Sequence, residues 1–427
     1  MTYLYSDGQL VGEQFVERMS TAEKERAALV HNLLPQIREN AAEASASGQL
    51  PASNIQLLRD AGLFGLVVPE KYGGLGGTLR DLAAATYAIG TACPSTALAY
   101  FFHNSSVSRG LLALEAVEAG LFDDDEAPVV VAFGEKVLRK MGEQRFYLGN
   151  FASESAKSAK SAVVISTEAR PTEGGWLLSG EKSFGCNTGV ADEYLVAAKL
   201  EGSETAAGLA LFFVPRDADG VAERPGWDAM GMRATASHGI TLTDVFVPAE
   251  EALTISESFV KMMQMSRGSL LGNQVAISAI YLGAARHAFD YALDFTTKLK
   301  FKDTGKPIAS SPFHQELIGE IAMDLQTATL WLRRQLELET AEPPLFPKPY
   351  VIQQWRLAKG TASECCMNVA QNALKMCGTS NTGNNGVIAR MLKDITMGLV
   401  MAFPAERGRL EAARMIVDGH EQATFSL

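Results

Sequence analysis

The sequence predicts an α+β fold: a helical N-terminal region, a compact block of antiparallel strands, and a second helical region. Three observations predict it. Residues 174–199, GGWLLSGEKSFGCNTGVADEYLVAAK, and 230–248, MGMRATASHGITLTDVFVP, carry short apolar runs closed by Gly, Asn and Pro, which is how antiparallel strands look in sequence. Before and after this island the apolar residues recur every three or four positions, as they do along one helix face. The chain is also long enough, at 427 residues, for two or three regions with substantial cores. A crevice where three such regions meet is a common seat for a cofactor.

In chain order, residues 15–48 read as an amphipathic helix with Phe15, Leu29, Leu33 and Ile37 on its buried side. Pro51 opens a second helix through Leu57, Leu58 and Leu63, closed by Gly62 and Gly65. PEKYGGLGG at Pro69–Gly77 is a turn cluster that either reverses the chain or touches a ligand. Thr78–Ala92 and Ser95–Leu114 read as two helices, rich in small residues and so closely packed. His103, in YFFHNSS, is either a core histidine bonded to a backbone carbonyl or a side chain on a ligand face. Strands are expected around Trp176–Leu178, Tyr194–Val196, Leu211–Val214 and from Ile240 to Val247. Beyond them Ile277, Ile280, Ala284, Ala288 and Tyr291 share a helical stripe, and further helices run His314–Trp331 and Gln353–Leu374.

Bulk properties narrow the class. The hydrophobic fraction is 47% and the charged fraction 20%, the balance of a soluble globular protein. The net charge of −11 argues against a nucleic-acid partner. No apolar run approaches the roughly 20 residues a membrane span needs, and the N-terminal MTYLYSDGQLVGEQ lacks the basic start and apolar core of a secretory signal. The five cysteines, Cys93, Cys186, Cys365, Cys366 and Cys377, show no zinc-type spacing. Adjacent Cys365 and Cys366 would point about 100° apart on a helix, unsuited to a bridge. A reduced cytoplasmic protein is expected.

GWLLSGEK followed by MGMRA and DVFVP resembles the acyl-CoA dehydrogenase superfamily of flavoproteins. So do PEKYGGLGG, the Ser266-Arg267 pair before a small-residue helix, HQELIGEIA at His314–Ala322 and CGTSNTGNNGVIARMLKD at Cys377–Asp394. The resemblance covers roughly residues 55 to 420. It implies an α-helical domain at 1–127, a central β-barrel at 128–248 and a C-terminal four-helix bundle at 249–427. It further implies FAD, with FMN as the cofactor of monooxygenase-type members, a homotetramer, and an acyl-thioester substrate served by an electron-transfer partner or oxygen. The flavin-facing loop of the family maps onto GNFASESAKSAKSA at Gly149–Ala162, where Ser153, Ser155 and Ser158 offer hydroxyls, unless this is merely a solvated loop. The aromatic over the flavin maps onto Phe184 and the hydroxyl residue beside its N5 onto Cys186, a weaker donor. Gly378 and Thr379 map onto the cofactor loop of the bundle, and His103, Arg233 and Arg267 onto the substrate side. The Arg that usually follows the first bundle helix is missing from YALDFTTKLKFKDTGK, leaving Lys298, Lys300 or Lys302 as point charges.

The family's catalytic carboxylate is also missing. With Lys393-Asp394 and GRLEAAR at Gly408–Arg414 fixing the register, Ala402 stands at the usual Glu position, and Ser266 at the alternative one. Neither side chain can take an α proton near neutral pH. Glu406 is then the nearest replacement base, or an ordinary carboxylate in a helix's first turn. The activity the resemblance implies is FAD-dependent α,β-dehydrogenation of an acyl thioester; the alternatives are a reduced-flavin monooxygenase or nitrososynthase-like member, or a catalytically inactive flavin-binding paralogue.

Overall fold

A computed structural model describes residues 8–156, 164–268 and 274–419; Ser158 lies outside the described residues. The first helix, α1 (Thr21–Ser47), starts on a reciprocal cap. Ser20 Oγ accepts from the Glu23 amide at 3.2 Å, and Glu23 accepts from the Ser20 amide at 2.7 Å. Its buried stripe is Ala27, Val30, Leu34, Ile37, Ala41 and Ala44. Leu29 falls off that 3.6-residue period and is exposed, and Leu33 is half-buried, contrary to expectation. Phe15 is buried as expected, but in the turn before the helix, stacked 5.5 Å from Tyr87.

After α2 (Ala52–Asp60) come α3 (Leu79–Gly90), α4 (Pro94–Ser105) and α5 (Val107–Glu118). The stretch read as one helix over Ser95–Leu114 is therefore two, broken at Ser106. The next helix, α6 (Glu126–Met141), runs across the expected start of the central domain at 128. Pro128 lies in its first turn, where a proline costs no helix hydrogen bond.

The strands are β1 (Leu148–Phe151), β2 (Glu168–Thr172), β3 (Gly175–Lys182), β4 (Glu193–Leu200), β5 (Leu209–Pro215), β6 (Val221–Glu223), β7 (Ile240–Pro248) and β8 (Ala252–Leu253). They form one curled sheet, a half-barrel, in the order β6-β7-β3-β2-β4-β5-β8, with β1 parallel to β4. The β3–β7 register places Trp176 opposite Val247 and Lys182 opposite Ile240, with an irregularity between Leu178 and Gly180. Strands β4 and β5 are buried over most of their length because helices cover them.

The C-terminal helices are α7 (Ser258–Gln264), α8 (Val275–Lys298), α9 (Pro312–Thr340), α10 (Lys348–Cys377), α11 (Val387–Val400) and α12 (Ala405–Asp418). Helix α8 is buried on nearly every side, between α3 on one flank and α10 and α11 on the other. The MGMRA segment joins sheet to helices. A Cβ on Gly231 would lie 1.9 Å from the Lys393 carbonyl, so only glycine fits there. No helix among the described residues is long and apolar enough to cross a membrane.

Candidate functional site

Strand β1 delivers the chain to the Ser153–Ser155 loop, and β3 delivers it to Ser183–Cys186. A buried ion pair ties these two exits together. Lys182 Nζ lies 2.7 Å from Glu154 Oε1, with side-chain exposures of 0% and 4%. Glu154 also accepts from the Ser166 and Thr167 amides at 2.7 and 2.9 Å and from both their hydroxyls. Burial alone would raise this carboxyl; Lys182 and the four donors outweigh it and hold the group at about 2. The Ser183 amide donates to the Ser153 carbonyl at 2.9 Å, and the Ser155 and Ser183 hydroxyls meet at 2.6 Å. Ser153 and Ser155 face solvent on this clamped loop.

Phe184 has φ of +58° and is 54% exposed. A bulky residue seldom adopts that conformation unless its surroundings enforce it. Its ring meets Trp227 edge-on at 6.1 Å, and Met230, three residues further along the chain from Trp227, is also exposed. Gly185 makes the kink possible, since a Cβ there would lie 2.1 Å from the Phe151 ring. The result is an aromatic wall open on one side, next to hydroxyls on a rigid loop. That combination of an apolar face and fixed donors fits a planar heterocycle such as the flavin ring.

Cys186 is buried, with Sγ 2.9 Å from Ser237 Oγ, and burial pushes the thiol up to about 12, so it stays protonated. Hydrogen bonds continue from it across the domain junction. Ser237 Oγ lies 2.7 Å from Thr235 Oγ1, which donates to the Met232 carbonyl at 2.9 Å; the Met232 amide donates to Asp394 Oδ1 at 2.6 Å. Burial raises Asp394 to about 6, against the pull of the Met232 amide and of Arg390 and Lys393. The sequence reading used Asp394 only to fix the register, and it missed Glu154, Lys182, Trp227 and Ser237 altogether.

Other candidates sit elsewhere. His103 is not on a ligand face. Its Nδ1 accepts from the Leu148 amide at 2.9 Å, so Nε2 carries the proton and donates to the Phe64 carbonyl at 3.0 Å. Burial lowers it to about 3, which keeps it neutral. Glu406 is exposed and 3.5 Å from Arg409 in the first turn of α12. Arg233 is a clamp between domains, donating to the Ser45 carbonyl at 3.0 Å and pairing with Asp228 at 2.6 Å. Arg267 pairs with Glu342, half-exposed. Gly378, with φ of +68°, ends α10, and Thr379 follows in an exposed turn.

The two positions that the resemblance assigns to the base carry serine and alanine. Ser266 is buried, its amide donating to the Met263 carbonyl at 3.2 Å. Ala402 is exposed with φ of +63° in the turn between α11 and α12. Buried Lys359 fixes this turn by donating to the Gly398 and Phe403 carbonyls at 2.8 and 2.5 Å, while Tyr281 reaches Met401 Sδ at 3.5 Å.

The N-terminal, middle and C-terminal domain models of acyl-CoA dehydrogenases match residues 22–116, 151–245 and 275–403. Cyclohex-1-ene-1-carbonyl-CoA dehydrogenase of Syntrophus aciditrophicus is 26% identical over 391 residues, 91% of this chain and 88% of that protein. L-evernosamine nitrososynthase of a Micromonospora species is 31% identical over 268 residues, 62% of this chain and 60% of that protein. KijD3, solved in complex with FMN and a dTDP-amino-keto sugar, superimposes with a TM-score of 0.77 at 23% identity, covering 97% of each chain. Its likeness is one of fold. With three consecutive domains matched in order on helices, half-barrel and helices, the chain belongs to the acyl-CoA dehydrogenase family.

Proposed function

We propose that the protein is a flavin-dependent oxidoreductase in which reduced flavin and oxygen oxidise a small organic substrate, as a monooxygenase or nitrososynthase does. One feature carries the choice: the positions that the resemblance assigns to a dehydrogenase's carboxylate hold Ala402 and Ser266, and Glu406 is exposed beside Arg409. Phe184 and Trp227 would cover the flavin ring, and Ser153, Ser155 and Ser183 would donate to its polar edge. When bound, the flavin supplies two-electron redox chemistry to substrate or oxygen. The protein's own part is to keep the ring seated on a loop that Glu154 and Lys182 hold still, and to leave no proton-accepting group at the usual base positions. FMN or FAD suits this seat, because the missing bundle Arg removes a bidentate phosphate contact that favours the larger cofactor. The exposed apolar residues Phe313, Met323 and Leu330 on α9 support a homo-oligomer, which we read as a tetramer.

A second reading, α,β-dehydrogenation of an acyl thioester, is favoured by the chain-long match to a CoA-ester dehydrogenase. It requires another base, and Asp394 is the candidate: a buried carboxyl at about 6, joined by hydrogen bonds to the Cys186 segment. Loading the protein with flavin, then comparing anaerobic acyl-CoA with pre-reduced flavin plus oxygen, separates the two. Product only in the oxygen arm supports the first reading; flavin bleaching by acyl-CoA supports the second.

A further inference from the structure

The seam between α5 and α7 holds a cation with no charged partner among the described residues. Arg109 is 2% exposed. Among the described residues its Nη1 bonds Met263 Sδ at 3.5 Å, its guanidinium lies 5.0 Å from the Phe259 ring centre, and its buried Nε has no hydrogen-bond partner. Burial lowers the group to about 10, still charged at neutral pH, and no carboxylate among the described residues opposes that shift. Ser106 Oγ, three residues earlier at the break before α5, and Ser258 Oγ, next to Phe259 on α7, are likewise buried with no hydrogen-bond partner among the described residues. Buried ions normally come paired. Lys182 has Glu154, and Lys359 has two carbonyls; Arg109 has a thioether and an aromatic face. The seam adjoins a candidate site position, because the Met263 carbonyl accepts from the Ser266 amide at 3.2 Å.

We propose that Arg109 receives a carboxylate group of the substrate. The inference rests on the flavoenzyme reading only in taking this carboxylate to belong to the oxidised molecule. The guanidinium edge bearing Nε presents parallel N–H donors at the spacing of two carboxylate oxygens, which a lysine cannot reproduce. Burial against Phe259 and Met263 excludes water from the guanidinium, and a drier setting strengthens a charge-assisted hydrogen bond. A substrate lacking the anion would leave the arginine unsatisfied, so the same residue selects against neutral analogues.

The test uses the flavin-loaded full chain, titrated with glutarate, neutral glutaramide and inorganic phosphate, and read by thermal unfolding and calorimetry. Wild type should be stabilised saturably by glutarate and not by glutaramide. Arg109→Lys should bind glutarate at least about tenfold more weakly. Arg109→Met should lose the response and, freed of an unpaired buried charge, should melt no lower than wild type without ligand. An undiminished glutarate response in Arg109→Met, or none in wild type, overturns the proposal. Binding of phosphate without glutarate overturns the carboxylate assignment. If Arg109→Met does not fold, the Arg109→Lys affinity decides alone. Flavin occupancy is read separately from absorbance, so a protein that binds glutarate through Arg109 but retains no flavin refutes the flavoenzyme reading and not this one.

Discussion

Glu154 and Lys182 form an ion pair 2.7 Å long, closed to solvent, that joins the loop after β1 to the end of β3. The pair is asymmetric. Glu154 has four other donors, whereas among the described residues Lys182 has only the Ala152 carbonyl at 3.5 Å besides it. Losing the carboxylate therefore strands a nearly bare buried ammonium, and losing the ammonium strands a carboxylate that is still well solvated by protein. Denaturant unfolding should show Glu154→Leu costing about 3–5 kcal/mol and Lys182→Met less. The double variant should recover part of the larger loss. The reverse order would mean that the pair is not the clamp described.

The same clamp sets an acid limit. A carboxyl at about 2 in the folded chain and near ~4.3 when unfolded binds fewer protons folded than unfolded between those values. Its stabilisation is complete above the unfolded value and is lost as pH falls through the folded one. Wild type should accordingly lose stability from about pH 4 downwards more steeply than Glu154→Gln. Parallel curves would contradict the depressed carboxyl.

Phe184 is the test of the cofactor wall. Its exposure and enforced φ leave the ring with Trp227 as a partner on one side only. Phe184→Ala should weaken flavin binding by about 3- to 10-fold, from the ~0.5–1.5 kcal/mol of an aromatic contact beyond area burial, in a fluorescence titration of flavin-free protein. Unchanged affinity would place the flavin elsewhere.

His103 should behave as a structural residue. His103→Leu leaves the Leu148 amide and the Phe64 carbonyl unsatisfied, at about 1–3 kcal/mol each, while flavin absorbance in the folded variant stays as in wild type. A folded pKa near 3 against ~6.5 unfolded means the unfolded chain takes up the proton first. Stability thus declines as pH drops from 6.5 towards 3. A variant with normal stability and an altered flavin spectrum would return His103 to the ligand face.

Much of this was legible in the sequence, and the rest was hidden for identifiable reasons. Apolar runs closed by glycine and proline marked β3, β4, β5 and β7 because strand ends need such residues. The break at Ser106 left no mark, since serine neither forbids a helix nor demands its end, and Pro128 read as a boundary although a first helical turn accepts it. Leu29 misled because hydrophobicity says nothing of phase on the helix. Phe184, Ser153 and Ser155 were reached through resemblance and do lie together. Glu154 and Lys182 were not reached, being 28 positions apart in polar surroundings where a loop and a buried clamp look alike. Arg109 was invisible for the opposite reason: a buried charge is recognised only once its surroundings are known.

The central claim, that this member of the family does not run on the usual α-proton base, is tested most directly at position 402. Wild type and Ala402→Glu, both loaded with flavin, would be mixed anaerobically with short-, medium- and long-chain acyl-CoA thioesters and followed by flavin absorbance. The account predicts no bleaching in wild type, and in the variant a gain of the ~10²- to 10⁴-fold that a general base contributes. Bleaching of wild type at a rate that Ala402→Glu does not improve would contradict it.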